Sequence, residues 1–256
     1  MPRTCLFLCC IPALLLAAST LTSAQDSVVS SSKFPFPEKL TYRVEWRLVT
    51  AGSATVDLSR AGSDTWQTNL DIQSAGLVTR LYKVLDTYRV TSDSKFCASR
   101  SFLDAQEGKR HTVTQLTFEA NRRVVRYDER DLVKNSSNQK VLDIPLCTHE
   151  IVGALAALRA TDVQPGKSAT FPVTDGKKVV NARIEAQGKE SVALNGKTYQ
   201  TIRYEAFLFD NVLYKRRGRL FIWISDDANR IPVQFRLQLG FPIGNIIIEL
   251  EKQQRS

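Results

Sequence analysis

Few side chains in this sequence could carry chemistry, and their spacing argues against most of it. Its two histidines are His111 and His149. Cys147, His149 and Glu150 cluster, but positions two apart on a helix do not share a face, so no metal site is expected there. His149-Glu150-Ile151-Val152-Gly153 begins like a zinc-protease helix, yet Gly153 stands where the second histidine is required. Ser92-Asp93-Ser94-Lys95 fits Ser-x-x-Lys, without the Ser-Asp-Asn and Lys-Thr-Gly segments that complete such an acyl-transfer site. There is no Gly-x-Ser-x-Gly elbow, phosphate-binding glycine loop or dinucleotide fingerprint, so no catalytic residue, metal or cofactor is assigned. Paired carboxylates are the open enzymatic route, because a glycosidase needs only two, placed by the fold. Asp226-Asp227 is the obvious pair and Asp86 a third candidate, although a turn between Ile224 and Arg230 explains the pair without catalysis.

Three features point to binding or to covalent cross-linking. Leu220-Phe221-Ile222-Trp223-Ile224 reads as a strand apolar on both faces, which is either central core or the wall of an interior beneath a helix. On the second reading Phe221 and Trp223 are the candidate ligand-binding residues. Lys215-Arg216-Arg217-Gly218-Arg219 is the densest basic run, either a charged edge that guards against aggregation or a docking patch for an anionic surface. Cys97 and Cys147 are left as a pair once the three cysteines of the N-terminal segment are set aside. They form either a disulfide or two independently buried thiols.

The elements that would position these residues are mainly strands. From Leu40 the apolar period is two, with Tyr42, Val44, Trp46 and Leu48 on one face. Ala51-Gly52-Ser53 is then the expected turn, and Ala54, Val56 and Leu58 return. Further runs fall at 66–72, 84–90, 97–105, 111–118 and 123–128, separated by polar residues. One helix is expected, with Thr148 as its cap, Glu150 in its first turn and Ile151, Val152, Leu155 and Leu158 as its apolar stripe. Asn195-Gly196 is a type I′ hairpin signal, and the changed apolar parity after it predicts a bulge near Gln200-Thr201. Matching faces in the last hairpin sets Arg236 opposite Glu249. The fold class is therefore an antiparallel curved sheet, a sandwich or incomplete barrel, with one central helix.

The N-terminus reads as an export signal: Arg3, an apolar core from Cys5 to Ala18, and the small-residue exit Thr22-Ser23-Ala24. Residues 1–24 are the expected signal peptide, 25–36 a serine-rich leader and 37–252 a single β-rich domain. Cys9 and Cys10 lie inside the apolar core, where a lipoprotein acceptor cysteine does not belong. The formal charge of +9 drops by one on cleavage, since Arg3 is the only charge removed. A cationic exported protein meets anionic lipid or wall polymers rather than nucleic acid, and nothing after the signal is apolar enough to span a bilayer as a helix.

Ile222-Trp223-Ile224-Ser225-Asp226, then Arg230-Ile231-Pro232-Val233 and Gly244, resemble the C-terminal signature of the bacterial domain of unknown function 3108 family. Glu38-Lys39-Leu40-Thr41-Tyr42 with Gly52 resembles its opening strand pair, and Leu155 to Arg159 with Pro165-Gly166 its central helix. Pro37, where a glycine is usual, and Thr148-His149-Glu150, where an aspartate is usual, depart from the pattern. The resemblance implies an exported, mostly antiparallel β protein and supplies no catalytic residues. The leading expectation is a periplasmic or extracellular, non-enzymatic protein that holds an apolar or lipidic ligand. A carboxylate-dependent hydrolase of an envelope polymer and a structural assembly partner are the alternatives.

Overall fold

The computed structural model describes residues 34–255. The expected signal peptide and most of the leader lie outside the described residues. Phe34, placed in the leader by composition, belongs to the folded part: it is buried and stacks on Phe96 at 5.7 Å.

Hairpin follows hairpin along the chain. The first run is β1 (Glu38–Trp46), β2 (Val49–Arg60), β3 (Thr65–Ser74), β4 (Val84–Asp93) and β5 (Ala98–Glu107), with a short helix α1 (Gly76–Leu81) between β3 and β4. Strands β6 (Arg110–Glu119), β7 (Val124–Asp131) and β8 (Ser136–Asp143) continue it. The two-residue strand β9 (His149–Glu150) leads into helix α2 (Ile151–Ala160). The second run is β10 (Ser168–Thr174), β11 (Val179–Leu194), β12 (Lys197–Phe207), β13 (Gly218–Ser225), β14 (Pro232–Leu239) and β15 (Asn245–Arg255).

All fifteen strands form one sheet, in the order β8 back to β1, then β15 back to β9. Every neighbour pair is antiparallel except β9–β10. Almost every strand thus pairs with its sequence neighbour, and the one distant pairing, β1 with β15, joins the two runs at the middle of the sheet. The sheet curls around α2 without closing by hydrogen bonds, so of the two forms expected from the strand pattern, a sandwich or an incomplete barrel, it is the incomplete barrel that forms. Side chains bridge the gap instead. The β10–β11 turn packs on β6 and β7, where Lys177 Nζ reaches Glu129 Oε2 at 3.1 Å. Gly176 is required there: its φ is +82°, and a Cβ would stand 2.3 Å from Leu116 Cδ2. The free edge strand β8 is exposed along nearly its whole length and carries Ser136, Ser137, Asn138, Gln139 and Lys140, a polar edge that discourages further strand addition.

Several local expectations shift in the structure. The β1–β2 turn is Arg47-Leu48, both with positive φ, not Ala51-Gly52-Ser53. Gly52 lies inside β2, where glycine is needed because a Cβ would stand 2.1 Å from Gln73 O on the next strand. The bulge falls on β11 at Ala186/Gly188 rather than near Gln200-Thr201 on β12, so Gln187 is the extra residue. In the last hairpin the Leu239 N to Gly244 O bond fixes a tighter turn, which pairs Gln234 with Glu249 and Arg236 with Ile247. The faces stay as expected, because the slip is by two residues. The Asn195-Gly196 turn forms with both φ values positive, at 50° and 74°.

Candidate functional site

The inner face of the sheet and helix α2 line a partly open apolar chamber of about 230 Å³. Ile151, Val152, Leu155 and Leu158, the stripe that periodicity identifies, form its helix side. Tyr42, Val56 and Ile72 wall one end, while Ile184, Ala206 and Ile222 wall the other. Every residue around the chamber is apolar except for the Tyr42 hydroxyl, which donates to Pro232 O at 2.9 Å. An antiparallel sheet delivers this lining because alternate residues of each strand face inward.

Helix α2 is fixed at both ends. Glu150, not Thr148, is the N-cap: its carboxylate accepts from Val152 N at 2.7 Å. Thr148 instead donates to Pro145 O at 3.0 Å. The backbone of His149-Glu150 is extended and pairs with Val173-Thr174, which moves the helix start two residues on. Burial pushes the Glu150 carboxyl up to about 7, against backbone hydrogen bonds that favour its charged form. The His149 ring is buried and hydrogen-bonds through Nδ1 to Phe96 O at 2.7 Å, and burial lowers its pKa. Cys97 and Cys147 form a disulfide with Cα atoms 4.7 Å apart, tying the start of β5 to the segment that enters α2.

At the other end, Arg159 extends into the core. Its Nη1 lies 2.5 Å from Glu38 Oε1, and both side chains are at most 5% exposed. Arg159 Nε donates to Arg230 O at 2.7 Å, and Arg230 Nε returns a bond to Arg159 O at 2.6 Å. Arg230 also donates to Thr161 O and to the Tyr204 hydroxyl. Arg230 and Glu38, two of the residues that carry the family resemblance, therefore clamp the C-terminal end of the helix to the β13–β14 turn and β1.

A second, polar cavity of about 280 Å³ adjoins the chamber, with Ile151 in the wall of both. Tyr88, Glu107, Arg110, Glu129, Glu150 and Tyr214 surround it. Burial, followed by the nearby Glu107 charge, raises Asp86 to about 6, and its carboxylate accepts from Gln106 N at 3.0 Å.

Phe221 and Trp223 do not line the chamber. Alternation along β13 sets them opposite Leu220, Ile222 and Ile224, and it is Leu220 and Ile222 that face the chamber. Phe221 and Trp223 project from the outer face, where the tip of the β11–β12 hairpin folds over them. Val192, Leu194 and Tyr199 pack there, and Asn195 Nδ2 donates to Leu250 O at 3.0 Å. Trp223 is 4% exposed, and its Nε1 donates to Glu190 Oε2 at 2.8 Å.

The basic run divides. Lys215, Arg216 and Arg217 are exposed in the loop before β13, whereas Arg219 lies on β13 and pairs with Glu205 through Nε at 2.7 Å and Nη2 at 2.9 Å. Asp227 organises its turn by accepting from Ser225 Oγ, Asn229 N and Arg230 N. Asp226 pairs with Lys189 at 2.6 Å. Among the described residues no hydrogen bond or ion pair joins Asp226, Asp227 and Asp86, and each has a structural partner. Sequence reasoning missed the Glu38–Arg159–Arg230 network and most of the chamber's strand lining. Alternation marked the inward positions, but not which of them would face a void.

Fold and site together define a class: a curved antiparallel sheet wrapped around one helix, with an apolar chamber between them. The chain belongs to the family described as "Protein of unknown function (DUF3108)", whose model matches residues 41–251. Among solved structures it resembles a beta-barrel-like protein of domain of unknown function DUF1849 from Brucella abortus. The TM-score is 0.58 at 11% identity, covering 86% of this chain and 98% of that one. A DUF1089 family protein from Pseudomonas aeruginosa aligns with TM-score 0.30 and 10% identity over 78% of this chain and 90% of that one. No curated protein matches the sequence. No helix among the described residues is long and apolar enough to cross a membrane.

Proposed function

We propose that this is an exported protein of the cell envelope, periplasmic or extracellular, that holds an apolar or lipidic molecule beneath α2 without transforming it. The observation that carries this reading is the chamber, about 230 Å³ walled by apolar side chains. It exceeds the roughly 150 Å³ at which an engineered apolar cavity already binds a small hydrocarbon. Filling such a space with an apolar ligand restores the dispersion contacts that its walls lack. The adjoining polar cavity suits the polar end of an amphiphile whose tail lies in the chamber. Export rests on the signal-like residues 1–24, and the disulfide is the cross-link of an oxidising compartment.

The test is native mass spectrometry, with lipid extraction, of protein purified from the periplasm of its own host. The expected result is a chain beginning at Gln25 that carries an apolar adduct. Ala206→Phe, which places a ring in the chamber, should abolish the adduct and keep a cooperative melt. A wild-type protein without adduct that also fails to bind a fluorescent fatty acid would overturn the proposal.

A further inference from the structure

The outer face of the sheet carries another pocket, of about 240 Å³, on the far side from the chamber. Phe221 and Trp223 form its floor, and Arg203, Arg219 and Arg236 rise around them. The register explains this arrangement. Arg203 pairs across β12–β13 with Trp223, and Phe221 pairs across β13–β14 with Arg236, so all four share a face. The bulge on β11 brings Gln187 to the rim, where it accepts from Arg203 Nε at 2.6 Å and donates to Glu205 Oε2 at 2.7 Å.

Two of the three arginines have counter-ions. Arg203 Nη1 lies 2.6 Å from Glu190 Oε1, and Arg219 forms its forked pair with Glu205. Arg236 has none among the described residues, and its Nε is buried with no acceptor. Its guanidinium carbon lies 5.3 Å from the centre of the Trp223 ring, and Arg219 sits 4.7 Å from that of Phe221. Three guanidinium groups therefore face two carboxylates across an aromatic floor. The Arg236 Nε is closed to solvent, so the paired Nη groups are what this side chain offers to the pocket, and an arginine held over an aromatic ring is already oriented before a ligand arrives.

We propose that this pocket binds a phosphate-type oxyanion, with the Arg236 fork as the principal donor and Arg203 and Arg219 beside it. A guanidinium presents paired N–H groups at the spacing of two phosphate oxygens. The aromatic floor keeps water from one side of the ion. The site lies on the opposite face of the sheet from the chamber and does not depend on a lipid being held there. The oxyanion is either free phosphate or the phosphate of a lipid headgroup.

The experiment titrates the folded protein with inorganic phosphate and, separately, with phosphatidylglycerol vesicles in a phosphatidylcholine background. Tryptophan fluorescence is one readout, since Trp223 lies under Arg236, and vesicle co-sedimentation is the other. Saturable binding is expected in at least one arm, weakened about tenfold or more by Arg236→Gln and less by Arg236→Lys, which keeps the charge but not the fork. Arg130→Gln, exposed on β7 away from the pocket, should leave it unchanged. Binding in the phosphate arm identifies the free ion, and binding confined to the vesicles identifies the headgroup. No saturable binding in either arm overturns the proposal, as does equal weakening by Arg130→Gln and Arg236→Gln, which would mark attraction by general charge.

Discussion

Arg159→Met should be among the most damaging single changes in this protein. In the native fold the Arg159 guanidinium is the cation 2.5 Å from Glu38, whose side chain is 1% exposed. Methionine fills similar volume but leaves that carboxylate with only Gln253 Nε2, at 3.2 Å, as a donor. Breaking a buried ion pair from one side costs about 3–5 kcal/mol, because the surviving charge stays desolvated. The Arg230 and Asn229 carbonyls also lose their donors, and the Phe34 ring loses the guanidinium 3.9 Å above it. In a chain of this size, about 4 kcal/mol lowers the melting temperature by roughly 8–16 °C. Urea unfolding followed by tryptophan fluorescence, together with thermal melts by circular dichroism, measures the loss. Glu38→Gln combined with Arg159→Met should recover part of it, since the stranded charge is then gone. A single variant within about 1 kcal/mol of wild type, or a double variant no better than the single, would refute the reasoning.

Two further outcomes concern other buried acids and the disulfide. Glu150 and Asp86 keep their protons to about 7 and about 6 in the fold, against ordinary values of 4.5 and 3.8. Between those limits these two carboxyls bind fewer protons in the unfolded chain than in the native one, so their contribution to stability should fall as pH rises from about 4 to about 7 and level off above, while the His149 ring, kept neutral by burial, acts in the opposite direction up to 6.5. Glu150→Gln should flatten the upper part of that decline in melts recorded across the range, and a profile that overlays wild type would count against it. The Cys97–Cys147 bridge spans a sequence separation of 50, for which the chain-entropy relation gives about 4 kcal/mol. Serine at both positions should lower the urea midpoint accordingly, and an unchanged midpoint after full reduction would contradict it.

Much of the architecture was legible because it follows from short-range rules. Alternation from Leu40 onward marks strands whose inward faces must be buried, and hairpin spacing makes sequence neighbours into sheet neighbours. Ile151, Val152, Leu155 and Leu158 show one helix with one apolar face, and that face meets the sheet. Residues 222–233 were legible as a family signature, but their physical role was not. Asp227 ties a turn and Arg230 clamps a helix end, both through backbone atoms that no composition reveals.

Tertiary structure alone decided the rest. The two apolar faces of β13 look equivalent in sequence. Only the curl of the sheet makes Leu220 and Ile222 the chamber wall and sends Phe221 and Trp223 outward, under the arm of the β11–β12 hairpin. The position of the bulge belongs to the same class, because it depends on the bend that β11 must make over β13, not on the residues near Gln200. Arg203, Arg219 and Arg236 lie on three different strands, and their meeting is a property of register. Sequence fixes which residues face the same way within a strand. Which of those faces encloses a space, and which distant charges share it, depends on how the whole sheet curves.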